Sequence, residues 1–356
     1  MFLPFCRLSN TIYLGVAVWG SQFPADYKRN QIYIGTGNYY NLPLSIEKCL
    51  NDTSNLTLLS DPCFEPNTYS ESILALDMDT GLIRWSQNLG SVNAWTIACI
   101  APGASQNPNC PPLPGSDSDF GQAPILKLNM KYKFGGVNRD QLFVGQKSGV
   151  VFGFDAETGR IIWSTQVSPG SYAGGMEFGS AADDQYIYVG NNNGDGLNYT
   201  LPDQVLTNKA SWSAVDLVTG QIMWTTVDPT TNINQTSSHH PLTVWDELVL
   251  VPGGSFPLRD TIAMKGCLYG LNKRNGQVLY EKCIENVPIG SGASVAGNTI
   301  YVGIGYLNPK PDKDGLLALQ LQSQTKSSGV IQIETWKIHF ISLLSLSYYV
   351  VENYFF

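Results

Sequence analysis

One phrase recurs along this chain. It reads Leu74-Ala75-Leu76-Asp77-Met78-Asp79-Thr80-Gly81-Leu82-Ile83-Arg84-Trp85, returns as Phe152-Gly153-Phe154-Asp155-Ala156-Glu157-Thr158-Gly159-Arg160-Ile161-Ile162-Trp163, and returns again from Ser213 to Trp224. A divergent copy runs from Tyr269 through Asn272 and Gly276 to Tyr280. The pattern is an apolar run, a D-x-x-T-G turn, and a second run ending in an aromatic ring. An Asp or Asn can bond its own turn backbone, and Gly can take the left-handed conformation. β-branched and aromatic flanks suit a half-buried hairpin, and a large ring at a fixed offset can fill the space between neighbouring sheets. Copies with constant internal spacing signal a repeat architecture.

Further strand-like runs precede each hairpin. Val16 to Asp26 and Gln31 to Asn38 lead into the first. Asp119 to Pro124 and Gln141 to Gly145 lead into the second; Met176 to Gly179 and Tyr186 to Gly190 lead into the third. His240-Pro241-Leu242 and Leu248 to Pro252 lead into the fourth. A fifth unit starts at Ser294, passes Ile300 to Gly303, reaches Leu316 to Leu319, and loses the D-x-x-T-G turn. Units of four strands predict an all-β fold, a β-propeller of four-stranded antiparallel blades. The turn residues Asp77, Asp155, Asp216 and Asn272 are 78, 61 and 56 residues apart. The excess falls in three insertions, at about 39–69, 90–118 and 191–211, which read as binding loops or disordered segments. With 14% charged residues, 35 Gly and 20 Pro, the composition favours strands and turns over helices.

A formal charge of −8 and the lack of a Lys/Arg cluster exclude a nucleic-acid surface. The apolar start Met1 to Cys6 has no basic residue before it, and Arg7 follows too early for a signal peptide. Residues 1–15 and 322–356 lack the repeat pattern, which places the repeat domain at 16–321. Ile338 to Val351 is apolar but too short for a membrane span. Seven cysteines form no C-x-x-C. Local pairing predicts the disulfides Cys49–Cys63, Cys99–Cys110 and Cys267–Cys283, with Cys6 free. With N-x-[S/T] sites at Asn51, Asn55, Asn198 and Asn234, these cysteines point to a secreted, glycosylated protein of the secretory pathway.

Several other strings accompany the repeat: Val18-Trp19-Gly20-Ser21, Gly35-Thr36-Gly37-Asn38, Ala94-Trp95-Thr96, Asp119-Phe120-Gly121, Gly145-Gln146-Lys147-Ser148-Gly149, and Gly174-Gly175-Met176-Glu177-Phe178-Gly179. With them, the stretch from Ala17 to Leu321 resembles the pyrroloquinoline-quinone (PQQ) propeller superfamily, in particular its polyvinyl-alcohol-dehydrogenase-like branch. That resemblance implies an eight-bladed parent holding PQQ and Ca²⁺ at its axis, with an Asp as base toward an alcohol. About four to five blades are present here, so the chain is expected to form an open arc with exposed blade ends suited to association. Residue by residue, the resemblance places Trp19 under the quinone ring, gives Asn38 to Ca²⁺, aims Lys147 at the quinone oxygens, and makes Glu177 a polar cofactor contact. As residues alone, Trp19 also suits a core, Asn38 a strand-end turn, Lys147 a solvated turn, and Glu177 a carboxylate at a funnel mouth.

Two departures bear on catalysis. Asn67 stands at the position of the family's catalytic Asp, and an amide cannot take a proton as a carboxylate does. The blades before Trp19, with their acidic Ca²⁺ ligand and adjacent-cysteine pair, are not in this sequence. His239 and His240 read as a surface loop or strand edge, with side chains on opposite faces. The expected function is quinoprotein alcohol dehydrogenase-like, acting on a small alcohol or polyol by hydride transfer to PQQ. The alternative is a non-catalytic secreted propeller that binds carbohydrate or protein.

Overall fold

The computed structural model describes residues 16–20, 22–40, 45–46, 48–49, 63, 68–90, 94–99, 110, 115–170, 174–230, 236–255, 265–305 and 315–320. The chain divides into two compact units. The first comprises Met1–Ser180, Asn193–Tyr199 and Asp216–Gln221; the second comprises Ala181–Asn192, Thr200–Val215 and Ile222–Phe356.

The first unit carries two four-stranded antiparallel sheets. One runs β1 (Ala25–Asp26), β2 (Gln31–Gly35), β3 (Ser72–Asp77), β4 (Ile83–Asn88), and the other β5 (Ile125–Met130), β6 (Arg139–Gly145), β7 (Val150–Asp155), β8 (Ile161–Gln166). The second unit opens with β9 (Ala181–Ala182) and β10 (Tyr186–Asn191); a short pair, β11 (Tyr199–Thr200) and β12 (Leu206–Thr207), follows along the chain. β13 (Ser211–Asp216) and β14 (Ile222–Val227) complete the sheet begun by β9 and β10. β15 (Thr243–Trp245), β16 (Leu248–Gly254), β17 (Lys265–Asn272) and β18 (Val278–Glu285) form the next sheet. β19 (Ile289–Ala296), β20 (Thr299–Ile304) and β21 (Gly315–Gln320) form a three-stranded one. These are the antiparallel blades that the repeat predicts. Among the described residues, no helix is long and apolar enough to cross a membrane.

The repeated phrase forms the hairpin of each four-stranded blade, and its chemistry is local. Asp77 Oδ1 accepts from the Asp79 and Thr80 amides and from the Thr80 hydroxyl at 2.8–3.1 Å; Asp155 and Asp216 do the same for their own turns. The turn Gly then takes positive φ: 70° at Gly81, 72° at Gly159, 74° at Gly220 and 72° at Gly276. A register shift follows in every copy, at Ala75/Leu76, Gly153/Phe154, Ala214/Val215 and Gly270/Leu271. The closing tryptophan fastens a further turn. Trp85 Nε1 donates to the Ala156 carbonyl and Trp163 Nε1 to that of Leu217, both within the first unit; Trp224 Nε1 donates to Lys273 within the second. The ring meets the Gly of the turn it fastens: a Cβ added to Gly159 would lie 2.5 Å from the Trp85 ring. Behind these clasps the first unit buries Tyr33, Ile73, Phe120, Leu142, Val144 and Phe154, and the second buries Trp212, Val249, Val251, Tyr269 and Leu271.

All three expected disulfides are present. Cys49–Cys63, Cys99–Cys110 and Cys267–Cys283 have Cα–Cα distances of 5.6, 4.9 and 4.1 Å. The last pair stands directly opposite across β17 and β18. Cys6 lies outside the described residues.

The first strand of each four-stranded blade begins later than the sequence suggests, whereas that of the fifth unit, β19, begins earlier, at Ile289 rather than Ser294. Only Ala25–Asp26 of the run from Val16 is strand; β5 starts at Ile125, β9 at Ala181 and β15 at Thr243. The residues before them leave regular extended geometry, with φ of 124° at Gly20, 54° at Asp117 and 57° at Phe178. These run-ins carry apolar residues like a strand but bond to other segments. His239 and His240 correct a second expectation. His239 is buried, and the two rings lie 4.2 Å apart between centroids rather than on opposite faces. They occupy an irregular segment before β15, where strand alternation does not operate.

Candidate functional site

The run-ins of the first unit are held against the exits of its strands. The Gly37 amide donates to the Ala17 carbonyl, Phe120 to Thr36, Lys147 to Asp119, and Gly175 to Lys147, at 2.9–3.2 Å. Gly121 and Glu177 add a parallel bridge. Chain positions 19, 38, 119, 147 and 177 thereby reach one place, and the four cofactor and metal residues expected from sequence meet there.

Lys147 is its centre. The residue is 5% exposed, and its Nζ lies 3.2 Å from Asp117 Oδ2, 3.7 Å from Asp119 Oδ2 and 3.4 Å from Glu177 Oε1. The same Nζ sits 4.4 Å from the Trp19 ring centroid and 5.8 Å from that of Trp95, a cation held over aromatic faces. Trp19 Nε1 donates to Asp119 Oδ2 at 2.9 Å, and the other carboxylate oxygen accepts from the Asn38 amide at 2.6 Å. Gly121 lets the Trp19 ring lie close, since a Cβ there would come within 3.1 Å of the ring. Phe178 meets the same ring edge-on at 5.6 Å. Asn38 donates from Nδ2 to the carbonyls of Tyr39 and Trp95 at 2.6 and 2.8 Å, which makes Oδ1 the end available to a cation.

Burial dominates the electrostatics. It would lower the Lys147 ammonium, but the charges of Glu177, Asp117 and Asp119 outweigh it and hold the pKa well above the ordinary lysine value. Burial pushes the Asp117 carboxyl up to about 8, with Lys147 pulling it down and Asp119 and Glu177 pushing it further up. Glu177 is raised for the same first reason, against the pull of Lys147. Three carboxyls around one ammonium leave an excess of negative charge in a site with little solvent. Such a site favours a retained proton or an added hard cation.

A cleft of about 400 Å³ adjoins the cluster, lined by Trp95, Ser116, Ser118, Ser148 and Asp195, with Gly115 and Gly170. Ser116 and Ser118 flank Asp117 in sequence, and Ser148 follows Lys147.

Sequence reasoning assigned no role to Asp117, Asp119 or Trp95, although two of them stood in its motif strings. The signal for the first two was the spacing Asp117-Ser118-Asp119, which repeats a carboxylate after two residues. Asn67, at the position of the family's base, lies outside the described residues.

The family profile described as outer membrane protein assembly factor BamB, a PQQ-repeat profile, matches residues 69–302. The chain is 27% identical over 317 residues to a polyvinylalcohol dehydrogenase from Sphingopyxis sp. (strain 113P3), covering 85% of this chain and 42% of that protein. It is 27% identical over 310 residues to a polyvinylalcohol dehydrogenase from Pseudomonas sp., covering 82% of this chain and 41% of that one. The fold resembles the crystal structure of quinohemoprotein alcohol dehydrogenase from Comamonas testosteroni, with a TM-score of 0.52 and 16% identity over 82% of this chain and 45% of the other. The chain thus spans less than half the length of these relatives.

Proposed function

We propose, for a chain that belongs to the PQQ-type quinoprotein β-propeller superfamily on its polyvinyl-alcohol-dehydrogenase-like branch, that the Lys147 cluster is the cofactor face of an alcohol-oxidising site. The observation that carries this reading is the buried Lys147 ammonium, set over Trp19 and among three carboxyls. The residues fit the family's groups. Trp19 and Trp95 offer aromatic surface to a planar ring, and Lys147 offers the cation that an anionic quinone needs. Asn38 Oδ1 and the carboxylates are hard oxygen donors suited to Ca²⁺, and their excess negative charge supplies the attraction. PQQ, when bound, supplies the two-electron acceptor.

The chain's own residues divide the remaining work. Lys147 stabilises negative charge on the acceptor side. Asp117, flanked by the cleft serines, has its carboxyl raised to about 8, and its ionised form, which gains population as pH rises toward that value, is suited to take the alcohol proton where Asn67 cannot. Ser116, Ser118, Ser148 and Asp195 present hydrogen-bonding groups to a small alcohol or polyol in the cleft. The three disulfides support an oxidising compartment, the secretory pathway or the space outside the cell, and Asn198 is exposed as a glycan acceptor must be.

The test is reconstitution. The chain is mixed with PQQ and Ca²⁺ and passed through gel filtration. Retained quinone absorbance with quenched tryptophan emission is expected, and both should weaken in Lys147→Met. Dye-linked oxidation of a polyol should follow retention and fall in Asp117→Asn. A folded chain that retains no quinone refutes the reading.

A further inference from the structure

The first unit carries a second distinctive surface at the other ends of the strands that lead to the site. β2 and β6 run toward Asn38 and Lys147; their starting ends are reached through the turns 27–30 and 131–138. In the other blades, the turn between the first two strands has two to four residues, whereas 131–138 has eight. The added hairpin is cationic. From Phe120 to Arg139 the chain holds Lys127, Lys131, Lys133 and Arg139 and no carboxylate, in a protein of net charge −8.

The hairpin is also apolar where it is most exposed. Val137 is 84% exposed, Phe134 67% and Leu128 61%; Tyr27, on the turn of the neighbouring sheet, is 85% exposed. Around Gly135 and Gly136, at the tip, nothing lies within 4 Å of an added Cβ. Tyr132 braces Phe134 edge-on at 5.6 Å, and Arg139 lies over the Tyr132 ring. Both turns belong to one surface, because Lys28, Arg29, Leu128, Val137 and Arg139 line a single cleft of about 520 Å³. The carboxylates in that cleft are largely matched. Asp140 is paired with Lys28 and Arg29, and Asp155 with Arg139, leaving Glu157.

We propose that this face docks the protein peripherally on an anionic lipid bilayer, with Phe134, Val137 and Tyr27 seated in the interface and Lys28, Lys131 and Lys133 against the headgroups. Two features choose a bilayer over an acidic protein. The apolar groups stand on protruding tips, and each tip joins an aromatic ring to adjacent cations: Tyr27-Lys28-Arg29 and Lys131-Tyr132-Lys133-Phe134. Rings that sit at the boundary between acyl chains and water, flanked by Lys and Arg, match the layering of that interface. Charge complementarity is local, since the chain as a whole would be repelled. The opposite placement of the Lys147 cluster would leave the candidate site facing solution.

The test uses the whole chain and vesicles of phosphatidylcholine alone or mixed with phosphatidylserine, read by co-sedimentation. Binding to the mixed vesicles, suppressed by high salt, is expected. Lys131→Gln with Lys133→Gln should weaken it on the order of twenty-fold, at roughly five-fold per cation. Phe134→Ser with Val137→Ser should also weaken binding, while Lys282→Gln, in the second unit, should not. Phe134→Trp should give emission that shifts to the blue with mixed vesicles only. No sedimentation with mixed vesicles, sedimentation indifferent to the hairpin variants, or capture by a soluble acidic polypeptide in preference to vesicles would each overturn the proposal. A circular dichroism spectrum matching the parent is required of every variant, and each substituted hairpin side chain is exposed.

Discussion

Replacing Asp117 by Asn should change both the stability near neutral pH and its dependence on pH. Burial raises the folded carboxyl from an ordinary 3.8 to about 8. Between those values the folded chain holds a proton that the unfolded chain has released. A group with a raised folded pKa contributes stability at low pH and loses it as pH rises through the window. The loss is about 1.4 kcal/mol per pH unit for one proton. From about pH 5 to pH 7 the parent should therefore lose roughly 2.7 kcal/mol through this residue. Asn resembles the protonated acid in shape and charge and does not titrate. It should be close to neutral below about pH 4 and should stabilise by roughly 1.6 kcal/mol at about pH 5 and roughly 4 kcal/mol at about pH 7. Urea unfolding of chelator-treated protein, followed by tryptophan emission, measures both curves. Subtracting them cancels the opposing pH dependence of the buried histidines. A difference that does not change with pH, or an Asn variant that loses ground as pH rises, would mean that Asp117 is ionised against Lys147, and the proton assignment would fail.

Gly159→Ala should lower the melting temperature more than Gly81→Ala. Both glycines have φ near 70°, but the new Cβ meets the Trp85 ring at 2.5 Å in the first case and nothing within 4 Å in the second. The second change should cost about 1–2 kcal/mol for the left-handed backbone, and the first should exceed it by the displacement of the ring. Replacing Cys267 and Cys283 together by Ala should cost about 3 kcal/mol in denaturant, as expected for a bridge spanning 16 residues.

The hairpins were legible because everything that makes them lies within one phrase. Asp77 bonds Thr80, Gly81 supplies the positive φ, and Trp85 closes the strand. The disulfides were legible for the same reason, since each joins cysteines in one loop or one hairpin. The run-ins were not. Val16 to Pro24 and Asp119 to Pro124 are apolar enough to read as strands, but their backbone is fixed by distant partners such as the Thr36 carbonyl that Phe120 donates to. No periodicity encodes such a pairing. Trp19, Asn38, Lys147 and Glu177 were singled out by a family resemblance, because no spacing in the chain announces that they meet.

Asp117 shows what resemblance also missed. Its identity is unremarkable in Ser116-Asp117-Ser118-Asp119, a string that composition alone would place in solvent. Its chemistry comes from being fully buried at φ 54° beside an ammonium contributed from 30 residues away. Burial and the neighbouring carboxylates of Asp119 and Glu177, against the pull of Lys147, turn an ordinary carboxyl into one that holds a proton near neutrality. Both are properties of the closed packing of run-ins on strand exits, and neither belongs to the residue. The position at which the chain carries Asn in place of the family's base therefore does not by itself decide whether the site can move a proton. The decision rests on whether Asp117, reached through a different segment, titrates where the structure places it.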